Sequence, residues 1–480
     1  MIAGSFLFFL AIFAAVGVAS HWRSRGSTRD YLLASQDTPP WLVGLSAIAT
    51  NNSGYMFIGI IGYTYAVGLP SIWLMIGWIV GDFVASSVIH RRLRDATTAA
   101  RGDTFAGILS RWHGTDFRTF RRLAALVSVL FLGTYASAQL TAGSKALSVL
   151  FGWDPWVGAV IGTVIVVVYC WAGGIRASIW TDAAQSIVML AAMSLLFGVA
   201  VASLGGPAAT WSALRDVSPT YMELLPSGLE LGETLGPVMF VVGWLFAGFS
   251  VVGQPHVMVR FMALDRPEHT NRARAYYYAW FAVFYFFANG VGLLSRVLLP
   301  ADRPFDAELA LPMIALDLLP APLVGLMLAG VFAAAMSTAD SLILSCTANL
   351  TEDFSERRVP LVAVKAATIA VAILALANAL LGEQSVFALV IGAWAVLAAA
   401  FAPLLTVYAL GGRPPEGLAI AMMGVGVALV YAWQAVPILA DYYEGSLAIL
   451  AGFAVYGLGR ALGLEEAAPV APEVGREASS

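Results

Sequence analysis

Ten stretches of this chain contain no Asp, Glu, Lys or Arg: 1–22, 38–81, 123–144, 155–175, 183–214, 234–259, 275–295, 318–339, 385–412 and 417–440. A helix crosses the hydrocarbon core of a bilayer with roughly 20 mainly apolar residues. Almost every window is therefore long enough to span, and 38–81 is long enough to span twice. Membrane strands would give short alternating segments instead. With 12% of its residues charged, the chain carries about half the ~25% of a soluble globular protein. The fold class that follows is an all-α polytopic membrane protein with the lipid bilayer as its solvent.

Thirteen spans are expected, over 2–20, 40–62, 70–90, 123–150, 155–173, 180–203, 236–257, 275–298, 316–348, 361–381, 385–410, 417–435 and 445–463. An odd number places the termini on opposite faces, and the distribution of basic residues chooses which. One set of connections holds Arg23, Arg25 and Arg29, eight arginines from Arg91 to Arg122, and Arg176. It continues with Arg260, Arg266, Arg272, Arg274, Arg357, Arg358 and Arg413. The other set holds Arg215 and Arg303 among Asp154, Asp216, Glu223, Glu230, Glu233, Asp302, Asp306 and Glu308. The expected placement is the bacterial inner (plasma) membrane, multi-pass, with the N-terminus outside and the C-terminus cytoplasmic. Residues 464–480, rich in Ala, Pro, Glu and Ser, read as a disordered cytoplasmic tail. A short amphipathic surface helix is expected around 105–112. Cys170 and Cys346 both fall within apolar segments, so neither a disulfide framework nor a metal cluster is expected.

Polar groups at membrane depth are the informative positions. In the second span, Thr50, Asn51, Asn52 and Ser53 are consecutive and precede Gly54. A regular helix would turn some of these amides toward lipid, whereas a local break lets carbonyls and amides line a cavity. The seventh span has a similar interruption at Gly243, Gly248, Ser250 and Gly253-Gln-Pro-His256, where proline removes a backbone donor. Two broken helices five positions apart point to inverted repeats over about 40–203 and 236–410 within a membrane transporter domain, 1–463. The ninth span offers Ser337, Thr338, Asp340 and Ser341, an oxygen-rich set suited to a hard cation. Asp182 either complements a helix N-terminus or binds an ion. Asp82 is an intramembrane acid with no evident partner. His256 reads as a capping or packing residue, and Tyr135 either faces a solute or packs.

These segments together resemble the sodium:solute symporter family, and most closely its sodium/proline branch. The resemblance rests on 46–59, on 171–185 (WAGGIRASIWTDAAQ), on 253–261 (GQPHVMVRF) and on 333–353 (AAAMSTADSLILSCTANLTED), all in register. It implies a five-plus-five inverted-repeat, LeuT-like core with broken helices 2 and 7. It also implies a sodium site made by carbonyls of Ala49, Asn52 and Ala334 and hydroxyls of Ser337 and Thr338. A second sodium site would draw on Asp182, Ser337, Asp340 and Ser341. For the solute, the implied positions are Asn51, Ser53, Tyr55, Gly59, Tyr135, Ala247 and Val251. Ser53, Gly59 and Tyr135 match the proline branch. Asn51 stands where that branch has an aspartate, and Tyr55 stands for a tryptophan. Ala247 and Val251 stand for a tryptophan and a tyrosine.

The expected function is sodium-coupled uptake of a small organic solute, such as proline, by alternating access, with Na+ as the coupling ion. Alternatives are uptake of another small carboxylate coupled to sodium or protons, and a transporter-like sensor. A passive channel would show a continuous polar stripe, and an enzyme a convergent catalytic group; the five histidines are scattered. Neither nucleic acid nor an obligate protein partner is expected.

Overall fold

The computed structural model describes residues 1–20, 22, 25–100, 102–299, 305–355, 359–382 and 385–465. Residues 466–480 of the expected tail lie outside the described residues, as do Arg23, Arg101, Asp302, Arg303, Arg357 and Arg358. Among the described residues the architecture is all-helical, joined by one isolated bridge between Thr38 and Leu264. Ten helices among the described residues are long and apolar enough to cross a membrane, and Pro155–Val168 and Gly445–Ala461 are shorter apolar helices.

After α1 (Ile2–Ser20) and the short α2 (Thr28–Leu33), the second span is divided into α3 (Pro40–Phe57) and α4 (Gly59–Val67). The break inside α3 falls at Ser53, with φ 36° and ψ 176°. Its freed groups find partners: Gly54 N donates to Gln139 Oε1 over 2.7 Å, and Tyr55 N to Ser53 Oγ over 3.1 Å. That satisfaction lets irregular backbone persist at membrane depth.

α5 (Ile72–Ala100) runs about ten residues past the expected end at 90. The buried α6 (Phe105–Ser110) follows. The expected surface helix is corrected here: every residue of α6 is buried. Thr104 accepts Gly107 N over 2.9 Å and donates to Asp353 Oδ1 over 3.0 Å, tying the turn to the protein rather than to lipid.

α7 (Arg118–Phe151) and α8 (Pro155–Ser203) follow, then α9 (Pro207–Arg215). The helix end expected at 173 falls on a non-helical residue, Gly174 (φ 55°, ψ −141°), so α8 is two helices meeting at a kink, and the second resumes at once rather than near 180. A side chain at Gly174 would fall on the Tyr31 carbonyl oxygen, so the bend is where α2 nests against α8. Arg176 locks the nest through Asp30 Oδ1 (2.6 Å), Ala34 O (2.8 Å) and Asp37 Oδ1 (2.9 Å).

The seventh span is α10 (Gly232–Phe249), a 3-10 turn at Ser250–Gly253, and α11 (Pro255–Met262). Gln254 between them is extended, at φ −97° and ψ 103°. Pro255 opens α11, where a missing N–H costs no helical hydrogen bond. α5 crosses α10 at Gly81, where any Cβ would meet the Leu245 carbonyl, so the backbones approach closely. α12 (Thr270–Leu298) packs against α3.

The expected span 316–348 is split into α13 (Ala310–Leu318) and α14 (Ala321–Ala348). Pro320 pushes Leu319 into the extended region (φ −103°, ψ 142°), which ends α13. The last helices are α15 (Leu361–Leu381), α16 (Val386–Ala409), α17 (Glu416–Gln434) and α18 (Gly445–Ala461). Glu308 accepts the first amides of α16, Val386 N at 3.1 Å and Phe387 N at 2.8 Å, and pairs with Lys145 at 2.6 Å. A carboxylate there complements the helix dipole.

Candidate functional site

The break in α3 faces the middle of α14. Ser337 Oγ donates to Ala49 O (3.2 Å) and to Ala334 O (3.1 Å). Thr338 Oγ1 donates to Thr50 O (2.8 Å) and to Ala334 O (3.2 Å). The expected sodium ligands Ala49, Ala334, Ser337 and Thr338 are therefore brought together, all fully or almost fully buried. Asn52 is buried beside them, with both side-chain polar atoms lacking a hydrogen-bond partner. The donor set is neutral oxygen throughout, which fits a hard monovalent cation. Thr50, expected at the break but not among the sodium ligands, joins this set: its carbonyl accepts Thr338 Oγ1 and its hydroxyl reaches Ser341 Oγ over 3.2 Å.

Toward α8 the same break meets the second expected set. Asp182 Oδ2 accepts Ser46 Oγ over 2.6 Å, and Asp340 Oδ1 accepts Ser178 Oγ (2.8 Å) and Ser341 Oγ (2.9 Å). The one Ser341 hydroxyl proton has Ser337 O, 2.6 Å away, as its alternative acceptor, so the two sets touch. Between the carboxylates lies Arg260, which the basic-residue count had assigned to a connection. α11 carries it inward, where it is wholly buried. Its guanidinium lies 3.3 Å from Asp182 Oδ2 and 4.0 Å from Asp340 Oδ1, and donates to Ser178 Oγ (2.7 Å), His256 O (2.9 Å) and Ser341 Oγ. One guanidinium against two carboxylates leaves one formal negative charge when both acids are ionised. Asp182 Oδ1 and Asp340 Oδ2 are buried without a hydrogen-bond partner.

The expected solute positions gather on the other side of the break. Asn51 Nδ2 donates to Tyr277 OH over 2.6 Å, while Asn51 Oδ1 is buried without a partner. The Tyr135 hydroxyl meets Ser53. Tyr55 packs on Trp78 and Phe387 at 5.9 and 5.4 Å, and Gly59 leaves room for the Tyr55 ring. Ala247 and Val251 are fully buried. Trp394 reaches the backbone of Ala247, its Nε1 donating to Ala247 O over 3.2 Å. Trp394 packs on Trp78 at 5.1 Å and, edge-on, on Tyr135 at 6.3 Å. His256 packs edge-on against Tyr135 and Trp394, with both ring nitrogens unbonded, as a packing residue would. Beyond Tyr55, a cavity of about 370 Å³ lies among Tyr63, Trp244, Phe387, Ile391 and Tyr443, with Asp441 and Glu444 in its wall.

Residues 31–411 match the model of the sodium:solute symporter family. This chain belongs to that family. It is 30% identical over 475 residues to the sodium/proline symporters of Staphylococcus aureus strains, JH9 and Mu3 among them, covering 95% of this chain and 90% of theirs. The fold is shared with a Na+-coupled sialic acid symporter in a substrate-bound outward-open state. That match has a TM-score of 0.80 at 20% identity, over 98% of this chain and 99% of the other. MhsT in complex with L-phenylalanine matches at a TM-score of 0.55 and 15% identity, over 87% and 98%. The family member described here is a multi-pass membrane protein with a LeuT-like fold. It is a secondary transporter rather than an enzyme, coupling a small solute to sodium.

Proposed function

We propose that this symporter accumulates a small amino acid, L-proline first among candidates, by sodium-driven alternating access across the bacterial inner membrane. The N-terminus is outside, the C-terminus cytoplasmic, and the core consists of the inverted repeats 40–203 and 236–410. One observation carries the reading: the hydroxyls of Ser337 and Thr338 reach carbonyls freed where α3 breaks. These oxygens, with Ala334 O and the Asn52 carbonyl, are the proposed sodium ligands. Asp182, Asp340 and Ser341, sharing Ser337, form the proposed second site. Because the first set joins α3 to α14, ion occupancy there stabilises one relative position of the two helices.

The solute lies between the breaks of the second and seventh spans, against Asn51, Ser53, Tyr55, Gly59, Tyr135, Ala247 and Val251. Asn51 Oδ1 offers an acceptor to an ammonium group, and the amides of a half-helix N-terminus favour a carboxylate. The 30% identity to sodium/proline symporters supports proline in particular. Moving one positive charge inward through ~100 mV supplies about 2.3 kcal/mol, enough for roughly fiftyfold accumulation.

The test is uptake of labelled L-proline into proteoliposomes under an inward sodium gradient, with potassium as control. Sodium-dependent accumulation that disappears in the Ser337→Ala/Thr338→Ala protein is the expected result. Sodium-driven uptake of a different amino acid or carboxylate would discard proline and keep the rest.

A further inference from the structure

Asp82, inside a span, is a fully buried acid that the proposed sodium and solute sites do not use. It sits in α5 with no solvent exposure; the Tyr277 and Tyr278 hydroxyls lie beside its carboxylate, but neither forms a hydrogen bond of good geometry to it. No cation stands within salt-bridge distance among the described residues. Arg274, the nearest counter-charge, is spent on Ser86 Oγ (3.1 Å), Phe83 O (3.0 Å) and Asn271 Oδ1 (3.4 Å). An isolated carboxylate at membrane depth is strongly disfavoured, so such a group is either neutralised or functional.

The groups that face Asp82 come from α12: the hydroxyls of Tyr277 and Tyr278, then Arg274 and Tyr285. α10 presents Leu245, Gly248 and Phe249 to α5, none of them titratable. The titratable groups of α11 are engaged elsewhere, His256 between Tyr135 and Trp394, and Arg260 with Asp182. On α5 itself, Ser86 is bonded to Tyr278 OH over 2.7 Å, and His90 is stacked on Phe261. A hard metal cation needs about six oxygens, and this pocket supplies two hydroxyls besides the carboxylate. A proton needs one oxygen.

We propose that Asp82 is a proton-binding site, read out at the solute site through Tyr277 and Asn51. The inference rests on the proposed solute position of Asn51. Tyr277 OH accepts Asn51 Nδ2 over 2.6 Å, so its own proton is free to turn toward an ionised Asp82. In that state Asn51 Oδ1 points into the break as an acceptor. A protonated Asp82 donates to Tyr277 instead, and the Tyr277 proton turns to Asn51. The amide then presents Oδ1 to Tyr277 and Nδ2 to the solute, a flip that needs almost no space because the two ends are nearly isosteric. The proton comes from water and returns to it, and no other bond changes. Ionised Asp82 therefore favours a solute bearing an ammonium group, and protonated Asp82 disfavours it.

Two measurements on the full-length protein test this. Infrared difference spectra of the purified protein between alkaline and acid pH should show a protonated-carboxyl band that Asp82→Asn removes. The same band at full amplitude in Asp82→Asn overturns the proposal. In proteoliposomes at saturating sodium, KM for L-proline should rise about fivefold from the alkaline to the acid end. Tyr277→Phe, which keeps the ring and its packing, should flatten that profile, and a wild-type profile in Tyr277→Phe overturns the link even if Asp82→Asn does not fold. Absence of any sodium-driven proline uptake counts against the proposed solute, while the infrared band still decides Asp82.

Discussion

Thr338 on α14 donates its hydroxyl to the carbonyl oxygen of Thr50 on α3 over 2.8 Å, the shortest of the hydrogen bonds that join these helices at the break. Thr338→Val keeps the branched shape and removes the oxygen. Loss of one ligand oxygen should raise the sodium concentration for half-maximal uptake by about tenfold, equivalent to about 1.4 kcal/mol. Thr338→Ser should stay near wild type. The sodium dependence of initial uptake rates checks both. A wild-type curve in the valine variant would remove Thr338 from the ion site.

Trp394 is the only side chain that donates to the Ala247 carbonyl among the described residues. Trp394→Phe deletes that donor and part of the ring that packs on Tyr135, a proposed solute residue. The expected result is about tenfold weaker proline binding, unchanged sodium dependence, and improved competition by bulkier amino acids. A competition panel against labelled proline reads this directly. Unaltered selectivity would mean that the ring only packs.

How far the fold was legible depended on where polar residues interrupt apolar ones. Four consecutive polar residues before Gly54, and a proline after Gly253, have few comfortable places in an unbroken membrane helix, so both breaks could be read. Asp182, Asp340 and the hydroxyls of α14 were legible for the same reason: polarity at membrane depth is costly. Arg260 was missed because a basic residue at the end of an apolar run is ordinarily counted with the connection, whereas α11 continues inward past it. Trp394 was missed because an aromatic in an alanine-rich run reads as core, and its N–H partner is a backbone carbonyl that no side-chain pattern reveals. The Gly173-Gly174 pair marked the kink, but the sequence does not show that Tyr31 lies against it, so the immediate restart of the helix at 175 was not legible.

That contact makes Gly174 sensitive to substitution. Its φ of 55° with ψ −141° is accessible essentially to glycine alone, and an added Cβ would strike the Tyr31 carbonyl. Gly174→Ala should lower stability by at least about 2 kcal/mol. Gly198→Ala in the same helix meets nothing within 4 Å and serves as the control. Thermal unfolding in detergent should separate the two clearly, and equal midpoints would show that α2 moves aside at little cost.

The nest under Gly174 should also respond to acid. Burial pushes the Asp30 carboxyl up, but the Arg176 guanidinium, the Arg25 amide and the Ser35 hydroxyl outweigh it and hold Asp30 below the usual carboxylate range. A lowered folded value means that ionised Asp30 stabilises the folded chain. That contribution is complete above the ordinary aspartate value of about 4. It declines below that point and is gone once pH falls through Asp30's own lower value. Neutral pH should thus leave the nest intact. Asp30→Asn removes the charge at every pH and leaves Arg176 buried without its closest partner, which should cost about 3 kcal/mol. The difference in stability between Asp30→Asn and wild type should be constant from neutral pH down to about pH 4 and shrink below it. A difference already shrinking near neutrality would mean that another group, with a higher pKa, holds α2 against α8.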